Sequence, residues 1–228
     1  MNQYIELNAK WAGYVPLSVA DLDYSTLVDR LDIEHLKTAD AIDAYVVKMQ
    51  KSIIEELSQE GFDVSYLKPL FIKENAFAQA EVISSETDLE IVKSFDDDFK
   101  SEAANLFSKI EIDFYYLERF LRTRGHGEFP VYSNIDKEIF ERYFTIESLV
   151  RNSLYYKELK GLTVRNFESK FDSYRINAMR GFMGASRGVN GIFAKVYFKL
   201  MDLKNIRIVL KGNLYGVDVS RIVRDVNA

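Results

Sequence analysis

From Leu89 to Leu121 the apolar residues recur at steps of three or four without a break: Leu89, Val92, Phe95, Phe99, Ala103, Leu106, Ile110, Phe114, Leu117 and Leu121. That spacing is the period of one face of an α-helix. Thr87 with Glu90 has the layout of a capping box at its start. The stripe predicts a helix over most of Asp88 to Arg122, about 50 Å long at 1.5 Å per residue. The acidic triplet Asp96–Asp98 is where such a helix would bend or start afresh. Gly125, Gly127 and Pro130 end it.

The same period runs through most of the chain. Ser18 with Asp21 resembles a capping box ahead of Val19, Leu22 and the Leu27–Leu31 pair. Asp40 is placed to cap a helix carrying Ile42, Val46, Met49, Ile53 and Leu57, with Gly61 as its stop. Pro69 interrupts a weaker stretch from Val64 to Ala80, read as short helix plus loop. Asn134 or Asp136 opens a helix with Ile139, Tyr143, Ile146, Val150 and Leu154 that runs toward Gly161. Thr163 caps one with Val164, Phe167, Phe171 and Tyr174. Phe193, Val196, Leu200, Leu203, Ile206, Leu210 and Leu214 form another long stripe ending at Gly216, and Asp218 caps a last one with Val219, Ile222 and Val226. Ile206, Ile208 and Leu210 also alternate like a strand, but the long helical context argues for helix. The expected fold is all-α, a long-helix bundle. No linker divides residues 1–228, which read as a single helical body with a weak seam near 62–86, between an N-terminal helical part and 87–228.

Chemistry is constrained by what is missing. The sequence has no cysteine, which removes disulfides, thiolate metal sites and cysteine nucleophiles. His35 and His126 are the only histidines and stand far apart, so a two-histidine metal site at helical spacing is excluded. No nucleophile–base grouping is visible, so no catalytic residue, metal or cofactor is expected, and a non-enzymatic role follows. A net charge of −5 argues against a general nucleic-acid binder. The acidic stretch Glu86–Asp98 lacks the glycine and terminal glutamate of a calcium loop. Arg180–Gly191 (RGFMGASRGVNG) lacks the Lys-Ser/Thr of a phosphate loop and follows no predicted strand. Its glycines read as a loop or as one face for close helix packing. The N-terminus has no signal-peptide layout, and no apolar run approaches the ~20 residues that span a bilayer. A cytoplasmic protein, free or docked on a membrane complex, is expected.

An internal echo links three segments. Asp113, Glu147 and Asp202 each stand fourteen residues before a glycine (Gly127, Gly161, Gly216), with an apolar residue just before the acid. Cations fall in the last turns: Arg122 and Arg124, Lys157 and Lys160, Lys211. An early acid, late cations and a glycine stop all suit the helix dipole and the left-handed helix end.

The third copy, AKVYFKLMDLKNIRIVLKGNLYGVDVSRI (Ala194–Ile222), resembles the C-terminal helix of the C/d family of connector subunits in V-type and A-type rotary ATPases. Asp202, Asn205, Ile206, Arg207, Gly212, Gly216 and Val217 match that family's pattern; Asp202 replaces a more usual Glu, and Asn213 stands where a cation is common. KIEIDFYYLERFLRTRGHG (Lys109–Gly127) is similar to the family's repeated helix, and LVDRLDIEHLKTADAIDAYV to its short-helix segment. Family members are longer, with three similar helical lobes forming a funnel. The resemblance implies two or three lobes here and an incomplete funnel. It implies a non-catalytic subunit that joins the central stalk to the membrane rotor ring and passes torque to proton or other ion transport. Asp202, Asn205, Arg207, Gly212 and Gly216 would then be mainly structural. The partners would be other rotary-ATPase subunits, met through exposed cations: Arg119, Arg122, Arg124 and His126 at one helix end, Arg180 and Arg187 in the glycine-dotted segment.

A different class of function competes with this one. Trp11, Tyr14, Leu22–Asp23–Tyr24 and LTVRNFESKFD resemble the ordering of SPX domains, helical sensors of inositol polyphosphates. Such a site needs clustered lysines, for which Lys10 and Lys170 are the candidates. A helical scaffold or regulator is the third reading.

Overall fold

A computed structural model describes Tyr4, Leu7 and residues 10–17, 24–31, 33–71, 101–123, 134–184 and 188–217. The fold is all-α, with no strand among these residues. The helices are α1 (Tyr24–Arg30), α2 (Ala39–Gln59), α3 (Glu102–Thr123), α4 (Lys137–Arg142), α5 (Ile146–Arg151), α6 (Tyr156–Leu159), α7 (Phe167–Arg180) and α8 (Val189–Leu214), with a 3₁₀ turn at Val64–Leu67. The chain divides into two units: Met1–Ser65 with Arg180–Ala228, and Tyr66–Met179. The expectation of one body with a seam near 62–86 has no mark for the second crossing, which falls at the last residue of α7.

In the first unit α8 packs against α1 and α2. Their shared core is Leu27, Ile33, Ile42, Ile206, Val209 and Leu210. Thr38, not Asp40, caps α2: its side-chain oxygen accepts from the Ala41 amide at 3.2 Å. Asp40 sits within the first turn, where a carboxylate still complements the helix dipole. Two helices close in the same way. At Gly61 (φ 76°) the Phe62 amide donates to Leu57 O at 2.9 Å and Gly61's own amide to Ser58 O at 3.0 Å. At Gly216 (φ 66°) the Val217 amide donates to Gly212 O at 2.8 Å and Gly216's to Asn213 O at 3.2 Å. This is the Schellman closure, whose left-handed residue suits glycine.

In the second unit α3 opens at Ser101, which caps it through the Ala104 amide at 3.3 Å. The helix expected over Asp88–Arg122 therefore begins at Glu102 in its described part; residues 88–100 lie outside the described residues. It is also more than a one-sided stripe. Ile110, Glu111, Ile112, Asp113 and Phe114 are all buried, so this stretch is enclosed on every side. Phe114 meets Phe167 at 4.7 Å and Phe171 at 4.9 Å between ring centroids, and Tyr155 meets Tyr174 edge-on at 4.8 Å. These rings carry much of the unit's core.

One expectation changes here, and another is decided between its two alternatives, in favour of the loop. The single helix through Ile139 and Leu154 is three short ones, because Tyr143 leaves the helix in an extended conformation and Thr145 caps a fresh start through Ser148 N at 3.2 Å. The glycines at 181, 184, 188 and 191 do not share a helical face: Gly181 and Gly184 lie in the turn after α7, and Gly188 (φ 55°) precedes α8. The capping pairs Ser18–Asp21 and Thr87–Glu90, the Glu86–Asp98 stretch and the helix after Asp218 lie outside the described residues.

Candidate functional site

Burying an ionised carboxylate is costly unless hydrogen bonds replace its water. Asp113, in the middle of α3, is fully buried. It accepts from the Tyr155 hydroxyl, from Asn134 Nδ2 at 2.9 Å, from Asn134 N at 3.2 Å and from Ile135 N at 3.3 Å. Asn134 Nδ2 also donates to the Tyr155 oxygen at 2.9 Å, closing a ring of three side chains. Burial, and then the Asp113 charge, push the Tyr155 hydroxyl well above the ordinary tyrosine range, so it remains a donor.

The motif acid of α8 is held alike. Asp202 accepts from the Tyr14 hydroxyl at 2.5 Å and from Leu17 N at 3.1 Å. Burial, then the Asp202 charge, raise the Tyr14 hydroxyl in the same direction. Each unit thus has an acid of a long helix clasped by one tyrosine hydroxyl and at least one backbone amide from a preceding or following segment. The order along the chain is reversed, since Asp113 precedes its donors and Asp202 follows them. The clasp is a recurring device rather than a tandem copy. Glu147, the acid of the middle echo, has no such clasp: it is exposed and pairs with Arg151 at 3.6 Å one turn on. Its span to Gly161 (φ 73°) is broken into α5 and α6.

The other motif residues of α8 also make internal contacts. Arg207 Nε donates to Asp43 Oδ1 at 2.6 Å and Lys211 Nζ to Asp43 Oδ2 at 2.8 Å, tying α8 to α2. Asn205 is buried, and its amide oxygen has no hydrogen-bond partner among the described residues. Gly212 and Gly216 form the Schellman closure. Nearby, Lys199 Nζ lies 3.9 Å from the Trp11 ring centroid, and Trp11 Nε1 donates to Glu56 at 2.9 Å. These contacts position helices; none presents a nucleophile beside a base.

Of the candidate interface cations, Arg119 and Arg122 lie in the last turns of α3, where Arg122 is exposed and pairs with Glu118 at 2.5 Å. Arg180 is the exposed last residue of α7. Arg124, His126 and Arg187 lie outside the described residues. His35 is exposed. The lysines of the sensor reading are engaged elsewhere: Lys10 with Glu60, Lys170 with the Glu158 carbonyl at 3.4 Å.

Sequence reasoning missed one cluster altogether. Arg175, buried, donates to both oxygens of Glu111 and, at 2.7 Å, to Asp172 Oδ1, while its guanidinium lies 4.5 Å from the Phe114 ring centroid. A signal was present in KIEIDF, where Glu111 and Asp113 stand on different sides of the helix and are flanked by Ile110, Ile112 and Phe114. Both acids could not face water, so at least one needed an internal partner. Among the described residues no group of three or more His, Asp or Glu side chains could hold a metal, and no helix is long and apolar enough to cross a membrane. Comparison of the chain with protein-family models, with curated proteins and with solved structures finds no match in any of the three.

Proposed function

We propose that the chain is a non-catalytic member of a V-type or A-type rotary ATPase, joining the central stalk to the membrane rotor ring and passing torque to ion translocation. The observation that carries this reading is α8. Its sequence has the resemblance, and the motif residues Asp202 and Arg207 each tie it to another segment of its unit. A helix of 26 residues, about 39 Å long, fastened near its middle and toward its end, resists bending under lateral load. On this reading the protein lies on the cytoplasmic side, peripheral to the membrane complex, and carries no titrating site of its own.

The contact with the stalk would be broad, on the order of 1,000 Å² or more in total, because a smaller contact would slip under torque. Two candidate contact patches are proposed, each taken by itself: the cations from Arg119 to His126 at the end of α3, and those from Arg180, the last residue of α7, to Arg187. The test is capture of isolated central-stalk subunits by the purified chain, then paired hydrolysis and pumping assays on the reconstituted complex. Reversal of Arg119, Arg122 and Arg124 to Glu is expected to leave hydrolysis running while pumping falls. Failure of the wild-type chain to capture any stalk or rotor subunit overturns the reading. Capture with no effect of the reversal overturns only the placement.

A further inference from the structure

One segment of the first unit, residues 10–17, is tied to α2 and α8 through carboxylates. Within it Lys10, Ala12, Gly13 and Val15 are exposed, while Trp11, the one tryptophan of the sequence, is buried. Among the described residues the segment reaches the two helices through four hydrogen bonds, and a carboxylate accepts each of them. Lys10 Nζ donates to Glu60, and Trp11 Nε1 to Glu56 at 2.9 Å. The Tyr14 hydroxyl donates to Asp202 Oδ2 at 2.5 Å, and the Leu17 amide to Asp202 Oδ1 at 3.1 Å. A cation lies against the same segment. Lys199 of α8, half-buried, holds its ammonium 3.9 Å from the Trp11 ring centroid and 5.5 Å from that of Tyr14.

Acid acts on these contacts and on α2 in opposite senses. A hydrogen bond to an ionised acceptor is about twice as strong as one between neutral groups, so a proton on any of the three carboxyls weakens the segment's hold. Asp202 is engaged at both oxygens, and a proton on either falls where a donor already sits. Lys199 adds to the effect. Burial pushes its ammonium down and the Glu56 and Asp202 charges hold it up, so neutralising those two carboxyls makes its covered position less favourable than water. The end of α2, by contrast, gains. It holds Glu55 and Glu56, with Glu60 at the cap, and no basic residue lies in its last turn. Acids there oppose the helix dipole, and protonation relieves the opposition. Lys10 and Tyr14, the remaining titratable groups at the contact, keep their protons in acid: the bond to Glu60 raises Lys10, and burial, then the Asp202 charge, raise Tyr14.

We propose that residues 10–17 are an acid-released strap: protonation of Glu56, Glu60 and Asp202 frees the segment from α2 and α8 while both helices stay folded. The sign follows from linkage. The closed strap favours the ionised carboxyls and so binds fewer protons than the open one. Closure is therefore complete where they are ionised and is lost as the pH falls through their titration. Opening brings Trp11 and the Lys199 ammonium to solvent. These carboxyls move a segment of the chain and carry no transported ion, so the inference does not rest on the rotary-ATPase reading.

A single tryptophan makes the test direct, because its emission reports the strap and no other part of the chain. The full chain is titrated from about pH 7 to about pH 3, with tryptophan emission, acrylamide quenching and far-UV ellipticity recorded on the same samples. Emission is expected to move to longer wavelength and quenching to rise, reversibly, before the ellipticity changes. Tyr14→Phe removes one donor and keeps the ring beside Lys199; it is expected to shift this early step upward by about 0.3 pH unit or more. Glu56→Gln with Glu60→Gln and Asp202→Asn keeps an oxygen acceptor at each place without a titrating charge, and is expected to remove the early step. An emission change that coincides with the loss of ellipticity, or none before it, would overturn the inference. So would a Tyr14→Phe midpoint equal to that of the wild type, or an early step that survives in the triple variant.

Discussion

Removing a single oxygen atom tests the Asp113 clasp. In Tyr155→Phe the ring stays, with its 4.8 Å contact to Tyr174 and 6.3 Å contact to Phe171, so no cavity is created. The hydroxyl that donates to Asp113 is lost, and Asn134 Nδ2 loses one of its two acceptors. A hydrogen bond to a buried charged group is worth about 1.5–3 kcal/mol, and the carboxylate keeps its bonds from Asn134 and Ile135. The expected loss is therefore about 2 kcal/mol, a large part of the roughly 5–15 kcal/mol that typically holds a domain folded. Urea denaturation followed by far-UV ellipticity should show a lower midpoint with an unchanged slope, and hydrogen exchange at the Ile135 amide should accelerate. Asp113→Asn should cost more than Tyr155→Phe. One of its two amide positions then turns N–H toward the donors that now face oxygen, leaving buried donors unmatched. If Tyr155→Phe shifts stability by less than about 0.5 kcal/mol, the hydroxyl is not holding the carboxylate and the clasp fails as an account of the unit.

Arg175→Met should destabilise by about 3–5 kcal/mol, because Glu111 and Asp172 are then buried without their cation. Replacing all three with apolar residues of similar volume should recover most of that loss, and equal melting temperatures for the single and triple variants would refute the reasoning. Gly216→Val should cost about 1 kcal/mol or more by thermal denaturation, since φ is 66° and a β-branched residue is strained there even with open space around it; an unchanged melting temperature would mean α8 does not close at this glycine. Lys211 first, then Arg207, hold the Asp43 carboxyl below its ordinary value of 3.8. Because the folded value is the depressed one, the pair's stabilisation is complete above about pH 4 and disappears as the pH falls below that. Asp43→Asn should then lower stability at pH 7 by less than about 1 kcal/mol, as the group is over one-third exposed, and should flatten the acid side of the stability–pH curve; a parallel shift at every pH would contradict this.

What could be read from the residues was whatever depends on short-range spacing. That α2, α3 and α8 are helices follows from three–four periodicity, although Ile110–Phe114 of α3 and Gly191–Phe198 of α8 are buried on every side rather than along one stripe. Gly61, Gly161 and Gly216 were legible as helix ends because glycine tolerates positive φ where other residues do not. Errors arose where a competing local choice lay close by. Thr38 outranked Asp40 as a cap by two positions, and the helix expected toward Gly161 broke at Tyr143 because Thr145 offered a new start.

Residue order and composition were enough to make this protein helical, to stop three of its helices, and to leave it without cysteine and with only two histidines. It took packing to enclose α3 on every side, to give Asp113 and Asp202 one manner of anchoring, and to close a charge cluster between Arg175 and Glu111, 64 residues apart. The difference is one of range. Periodicity and capping are properties of neighbours within a turn or two. A carboxylate's partner, by contrast, is whichever donor the packed chain brings within about 3 Å, and no spacing along the sequence records that distance.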